Sequence, residues 1–162
     1  MLHFSLLTYR SAAAAFFAIG LLLVAACGKK DDFTLVPVSG KVLVGKSPLT
    51  RGTITFWPDA AKGNNVNKTP SATIQEDGTY KLTTGTTQGV KDGAPPGWYL
   101  VTISKGNAVA TKDKKKTREP VFDPAFENHQ KTTLKMEVKE GAPPGSYDLK
   151  VDDLANPSIR KR

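Results

Sequence analysis

The sequence predicts an all-β protein, folded as a single antiparallel β-sandwich of about seven strands or as a partly open barrel. Three observations support this fold class. The 162 residues include 14 Gly and 11 Pro, which leave little room for long helices. The clearest apolar segments alternate with period two, as half-buried strands do. Short clusters of turn-forming residues separate these segments.

The predicted β-domain covers residues 34–152 and is followed by a basic tail, residues 153–162. A turn is expected at Gly45–Pro48, and a tight hairpin at Glu76–Thr79, because Asp-Gly accepts positive φ at low cost. The alternating apolar residues that mark the strands are, in order, Val36/Val38/Val42/Val44, Ile54/Phe56, Ala72/Ile74, Tyr80/Leu82, Tyr99/Val101/Ile103, Leu134/Met136/Val138 and Tyr147/Leu149/Val151. We predict that one shared core buries Val42, Ile54, Ile74, Leu82, Val101, Ile103, Met136 and Leu149.

The composition excludes several classes of function. Hydrophobic residues make up 39% of the chain and charged residues 23%, as in globular proteins. A single Cys cannot form a disulfide framework. One Cys and two His are also too few for a Cys/His zinc site or a multi-histidine metal centre. We therefore predict no metal and no cofactor.

The N-terminal segment predicts export and a lipid anchor. A short basic start ends at Arg10, and residues 11–26 (SAAAAFFAIGLLLVAA) carry no charge. The segment closes with Val24-Ala25-Ala26-Cys27, which resembles a bacterial lipobox at all four positions. The small Ala side chains suit a peptidase cleft, and the Cys thiol is the nucleophile that would take a diacylglyceryl thioether. We therefore predict a lipoprotein signal peptide over residues 1–26 and a lipidated tether over 27–33.

Two other interpretations of this segment are weaker. A retained transmembrane helix would have only the 18 residues between Arg10 and Lys29, short of the roughly 20 that span a bilayer comfortably. More positive charge also follows this segment than precedes it, which is the wrong bias for a helix whose N-terminus stays inside. A plain secretory signal would leave the only Cys of the chain at its end by coincidence. Gly28 in place of Asp after the lipobox favours the outer over the inner membrane in a diderm bacterium.

The order of the strand motifs resembles a known family. It runs V-x-G-x-V at 38–42, G-x-I-x-F at 52–56, D-G-x-Y-x-L at 77–82 and P-P-G-x-Y-x-V-x-I at 95–103. This order is similar to the carboxypeptidase regulatory-like domain, and in particular to small bacterial lipoproteins made of one such domain. The resemblance covers residues 36–151 and implies a transthyretin-like or immunoglobulin-like sandwich.

The motif residues have physical roles of their own. Gly40 is expected to permit a close backbone approach within the first strand. Gly97 is expected to let the chain turn sharply out of Pro95-Pro96. The large rings of three tyrosines are expected to be buried: Tyr80, Tyr99 and Tyr147.

Candidate chemistry is sparse, so we predict that the protein is not an enzyme. A zinc carboxypeptidase needs a His-x-x-Glu pair, whereas His129, the only His after the predicted signal peptide, is followed by Gln130-Lys131-Thr132. Asp123 or Asp148 could pair with this His, but no G-x-S-x-G nucleophile elbow is present. The oxygen-rich stretch 59–67 is expected to be a polar loop and not a calcium site, since Asp59 is its only acid and Lys62 opposes a cation.

Two surface features are candidate contacts. One is a basic run that contributes to the formal net charge of +8; its residues are Lys112, Lys114, Lys115, Lys116 and Arg118. Anionic lipid headgroups or an acidic polysaccharide fit this run, and a solvated loop is its simpler interpretation. Nucleic acid does not fit, because the protein is predicted to be exported and no aromatic residues interleave the charges.

The other feature is a pair of tryptophans. Trp57 follows Phe56 and Trp98 precedes Tyr99, and both of these neighbours are expected to face inward. Alternation therefore turns the two tryptophans outward, where they would form a carbohydrate-stacking platform or pack under a loop.

The sequence thus predicts a non-enzymatic cell-envelope lipoprotein, held at a membrane by Cys27, that acts as a structural, adhesive or partner-binding module. The alternative is a carbohydrate- or peptidoglycan-binding module that uses the tryptophans and the basic 112–118 loop. Partners would be the membrane, and an envelope polysaccharide or another envelope protein.

Overall fold

A computed structural model describes residues 33–106 and 122–154. Within these ranges the chain forms ten strands and two short 3-10 helices. The strands are β1 Ser39–Val44, β2 Ser47–Pro48, β3 Gly52–Pro58, β4 Ser71–Ile74, β5 Thr79–Lys81, β6 Thr83–Thr86, β7 Gly89–Asp92, β8 Gly97–Lys105, β9 Lys135–Val138 and β10 Leu149–Val151. The 3-10 helices are Ala60–Lys62 and Pro124–Glu127. The predicted signal peptide, Cys27 and the basic run 112–118 lie outside the described residues.

The strands form two sheets. The larger sheet has six strands in the order β7-β6-β4-β3-β8-β9, with every neighbouring pair antiparallel. The smaller sheet has four strands: β10-β1-β2, with β5 also paired to β1. The predicted all-β class is confirmed.

Two details differ from the sequence-based expectation. The three strands beyond the seven expected are β2, β6 and β7. They were missed because β2 is only two residues long and the β6–β7 hairpin has no alternating apolar face. The second difference is that β10 pairs with β1 in parallel, with Val42 opposite Leu149, so the sheets are not purely antiparallel. This pairing joins the first and last strands, which no local pattern specifies.

One cluster of buried apolar side chains draws on both sheets. All eight residues predicted for the core belong to it. Seven of them lie on the inward faces of strands, as alternation requires, and Leu82 lies between β5 and β6. Three further members fall outside the alternating segments: Leu49, Ala94 and Phe122. The predicted burial of Tyr80, Tyr99 and Tyr147 is also confirmed.

The predicted turn at Glu76–Thr79 forms, but it does not close a hairpin. Gly78 N–H donates to the Gln75 carbonyl at 2.9 Å, and Gly78 has a φ of 84°. The Asp77 carboxylate accepts hydrogen bonds from the Thr79 hydroxyl (2.6 Å) and backbone N–H (2.9 Å). These bonds hold the pKa of Asp77 below its usual value, with the hydroxyl as the larger cause. The strands on either side diverge, because β4 pairs within the larger sheet and β5 pairs with β1.

Gly40 provides the expected close backbone approach. A Cβ at this position would lie 2.3 Å from the Tyr147 carbonyl oxygen. That same oxygen accepts a buried hydrogen bond of 2.6 Å from the Tyr80 hydroxyl. Burial is the main reason that the pKa of Tyr80 is raised well above its ordinary range. The absence of a side chain at Gly40 therefore allows the turn before β10 to dock on β1 and β5.

Candidate binding face on the larger sheet

Trp57 and Trp98 lie on the outward side of neighbouring strands β3 and β8. Their neighbours Phe56 and Tyr99 are fully buried, whereas both tryptophans are only half-buried. In the strand register Trp57 lies opposite Leu100, which places Trp98 diagonally across from Trp57. Diagonal neighbours on one face are about 7–8 Å apart, within reach of aromatic side chains. We refer to the outward side chains of Trp57, Trp98, Leu100, Thr102 and Lys135 as the tryptophan face.

The indole of Trp57 is held from two sides. Its Nε1–H donates to the Thr102 hydroxyl at 3.0 Å, which fixes the ring relative to the sheet. The imidazole of His129 stacks on it, with ring centroids 4.6 Å apart and planes inclined by 23°. His129 is itself exposed and lies in the turn that follows the second 3-10 helix. This stack is a contact that the sequence did not indicate.

The carboxylates considered as partners of His129 are engaged elsewhere. Asp123 accepts from the Ala125 N–H at 2.8 Å and caps the second 3-10 helix. Asp148 accepts from the Lys41 N–H at 2.8 Å and docks the turn before β10 on β1. Both therefore have structural roles, and the structure does not bring them together with His129 in a catalytic arrangement.

Lys62 covers the other indole. Its Nζ lies 3.4 Å from the ring centroid of Trp98, a cation–π contact. The loop that carries Lys62 is fixed by backbone bonds to Asp59 and by Asn64, whose Nδ2 donates to the Trp98 carbonyl at 2.9 Å. Gly97 makes room for this amide, since a Cβ there would lie 2.9 Å from it. The stretch expected to be a polar loop thus folds onto the start of β8.

Asp59 lies beneath this end of the face. It is only 5% exposed, and its Oδ2 has no hydrogen-bond donor within the described parts of the chain. Lys135 is its ion-pair partner, with Nζ 3.6 Å from Oδ2, too far for a hydrogen bond. A buried carboxylate is costly unless it is paired, so Asp59 keeps the Lys135 ammonium at this end of the face. Among residues 33–106 and 122–154, no three His, Cys, Asp or Glu side chains group as metal ligands.

A second concave surface lies beside the smaller sheet. A cleft of about 510 Å³ is lined by segments distant in sequence, among them Pro37, Lys41, Tyr80, Pro143 and Asp148. The Lys41 N–H and the Tyr80 hydroxyl are already hydrogen-bonded within the protein. These two donors of the cleft therefore serve the fold.

The candidate contacts predicted from the sequence do not all come together. Trp57 and Trp98 share one face, whereas Cys27 and the basic run 112–118 lie outside the described residues. No helix in the described ranges is both long enough and apolar enough to cross a bilayer. No protein-family model matches the chain, and neither a curated protein nor a solved structure matches it.

Proposed function

We propose that this chain is a non-enzymatic lipoprotein of the bacterial cell envelope, whose β-sandwich binds a partner through the tryptophan face. The lipobox at Val24–Cys27 supports export and a lipid anchor, and Gly28 favours the outer membrane in a diderm. Two sheets that share one hydrophobic cluster support a sandwich of the transthyretin-like kind. Asp123 and Asp148, the acids that the sequence offered as partners of His129, serve the fold, which supports a binding role over catalysis.

The position of the two tryptophans is the observation that carries the binding role. Both are outside the buried cluster, which already includes the inward residues of β3 and β8. Aromatic residues are enriched at binding interfaces, where their large area is desolvated by a partner. Loop residues His129 and Lys62 cover the two indoles only in part, since both tryptophans stay half-buried. This partial exposure on the outward side of a sheet supports recognition.

A photo-crosslinking residue tests this role in intact cells. We expect an adduct when the residue replaces Leu100, between the two tryptophans. Val90, on the edge strand β7, is 74% exposed and provides the matched control position. Equal adducts at both positions, or none at Leu100, would contradict the proposed use of this face.

A carbohydrate-binding module is a second candidate, favoured by the spacing of the indoles. Trp57 and Trp98 are diagonal neighbours on one face, and sugar rings stack on aromatic rings through their apolar C–H faces. Peptidoglycan or another envelope polysaccharide would be the ligand. The basic 112–118 loop is the other part of this candidate binding site, and only its sequence supports it.

A further inference from the structure

We infer that the tryptophan face takes an acidic glycan, a saccharide chain that carries carboxylate groups, and this inference rests on the carbohydrate-binding candidate above. The sugar rings would pack against Trp57, Leu100 and Trp98. The carboxylates would meet the ammonium groups of Lys62 and Lys135. Three properties of the face lead to this ligand class: unused donors, net positive charge and fixed geometry.

Several hydrogen-bond donors on the face have no acceptor within the described residues. The Lys62 ammonium contacts the Trp98 ring, and the Lys135 ammonium lies 3.6 Å from Asp59, but neither donates a hydrogen bond there. The Nε1–H of Trp98 also has no acceptor in that part of the chain, unlike that of Trp57. Each ammonium carries three donors, so the face can donate to a ligand rich in acceptors.

The exposed charge at this site is positive. Lys62 and Lys135 face it from the loop after β3 and from β9, and the Lys135 side chain is 47% exposed. The two acids on the same side are each paired with a lysine: Asp59 with Lys135, and Glu137 with Lys139 at 2.6 Å. Lys62 has no acid partner among the described residues, so these three lysines and two acids leave a net charge of one positive. A carboxylate would therefore meet an attractive field at this end of the sheet.

The groups that would contact the glycan are held in place before binding. The hydrogen bond to Thr102 orients Trp57, and the buried charge of Asp59 positions Lys135. His129, which stacks on Trp57, is exposed, so a sugar ring can exchange with it without uncovering the core. Pre-positioned side chains lose less conformational entropy when the ligand binds.

Titration of the full-length protein in a non-ionic detergent tests the inference. The chain has only two Trp, so its tryptophan fluorescence, excited selectively over the four Tyr, reports on this face alone. The probes are a galacturonic acid hexasaccharide and, as the neutral comparator, a glucose hexasaccharide. We expect saturable binding of the acidic probe at least tenfold tighter than that of the neutral probe, with the difference shrinking as salt is raised.

Charge-removing variants identify the residues responsible. The double substitution Lys62→Gln and Lys135→Gln should remove most of the preference for the acidic probe, so that the two probes bind with similar affinity. Lys150→Gln, on the exposed side of β10, is the matched control and should leave both unchanged. Unchanged circular dichroism in each variant shows that the fold is retained.

The possible failures are distinguishable. Equal binding of both probes overturns the acidic preference and leaves the carbohydrate-binding candidate standing. Absence of binding to either probe overturns that candidate as well, and leaves crosslinking at Leu100 to decide partner binding. Binding to phosphatidylglycerol vesicles that is lost in the double variant, without binding to the acidic probe, assigns the face to a lipid surface and overturns the inference.

Discussion

Substitution of Gly40 by Ala should test the contact that docks the last turn on the first strand. The new Cβ would lie 2.3 Å from the Tyr147 oxygen and 2.7 Å from its carbonyl carbon, both backbone atoms. Forcing an extra carbon into such a site costs about 1–3 kcal/mol. The carbonyl must move, so its buried 2.6 Å bond from the Tyr80 hydroxyl is lost or weakened. That adds about 1–1.5 kcal/mol.

Alanine allows the unfolded chain fewer conformations than glycine does, and this effect offsets about 0.4–1 kcal/mol of the loss. We therefore expect Gly40→Ala to lower the free energy of unfolding by about 1–4 kcal/mol. Urea denaturation followed by tryptophan fluorescence and by circular dichroism measures the change. Tyr80→Phe should be less than additive with Gly40→Ala, because both act on the same hydrogen bond.

Gly85→Ala is the matched control for this measurement. Gly85 lies inside strand β6, and no atom lies within 4 Å of a Cβ built there. Its substitution should be neutral or stabilising by up to about 1 kcal/mol. If Gly40→Ala and Gly85→Ala had the same stability, the close approach to Tyr147 would not be the reason for a glycine at position 40.

Four further outcomes are expected. Cys27→Ser should abolish incorporation of a tagged fatty acid, and label retained in the variant would contradict the lipobox assignment. Leu82→Ala should lower stability by about 2–5 kcal/mol through a core cavity, measured by urea unfolding, and a helix-dominated circular dichroism spectrum of the domain would refute the β-fold. Thr79→Val should raise the pKa of Asp77 toward its usual value, as measured by a carboxyl NMR titration. Because the pKa of Asp77 is lowered in the folded state, this carboxylate stabilises the fold at pH values above its unfolded-state pKa. That stabilisation is lost as the pH falls through its folded-state pKa. In a protein that begins after Cys27, substitution of the three lysines 114–116 by Gln should remove most binding to anionic vesicles at low salt. The whole 112–118 run, five positive residues against Asp113, would contribute roughly 2–4 kcal/mol at no more than about 1 kcal/mol per charge. Equal binding by the variant would leave the run as a solvated loop.

The fold was predictable wherever one face of a strand is buried. In β3, β8 and β9 the apolar side chains alternate, and their burial follows from period two alone. The β6–β7 hairpin could not be found in this way, because Thr84 is its only buried side chain and β7 is exposed throughout. The parallel register of β1 with β10 depends on how distant segments meet, which local patterns do not encode.

The candidate site was predictable only as far as strand alternation reaches. The buried neighbours Phe56 and Tyr99 require the two tryptophans to face outward, and they do. The stacking of His129, the cover that Lys62 forms and the burial of Asp59 depend on the paths of loops. From the sequence, Asp59 is expected to be solvated, because it is the only acid of a polar stretch that also contains a lysine and a glycine. Only the fold brings Lys135 to it.

The pairing of the first strand with the last sets the moment at which the domain can complete its folding. Lys41 and Asp148, which meet at this junction, are 107 residues apart in the chain. Closing a loop of that length costs about 4 kcal/mol of chain entropy, and more when the ends must also be aligned. The smaller sheet therefore cannot close until the C-terminal strand has been made and has emerged. A chain with this topology can complete its smaller sheet only after its final strand has been synthesised.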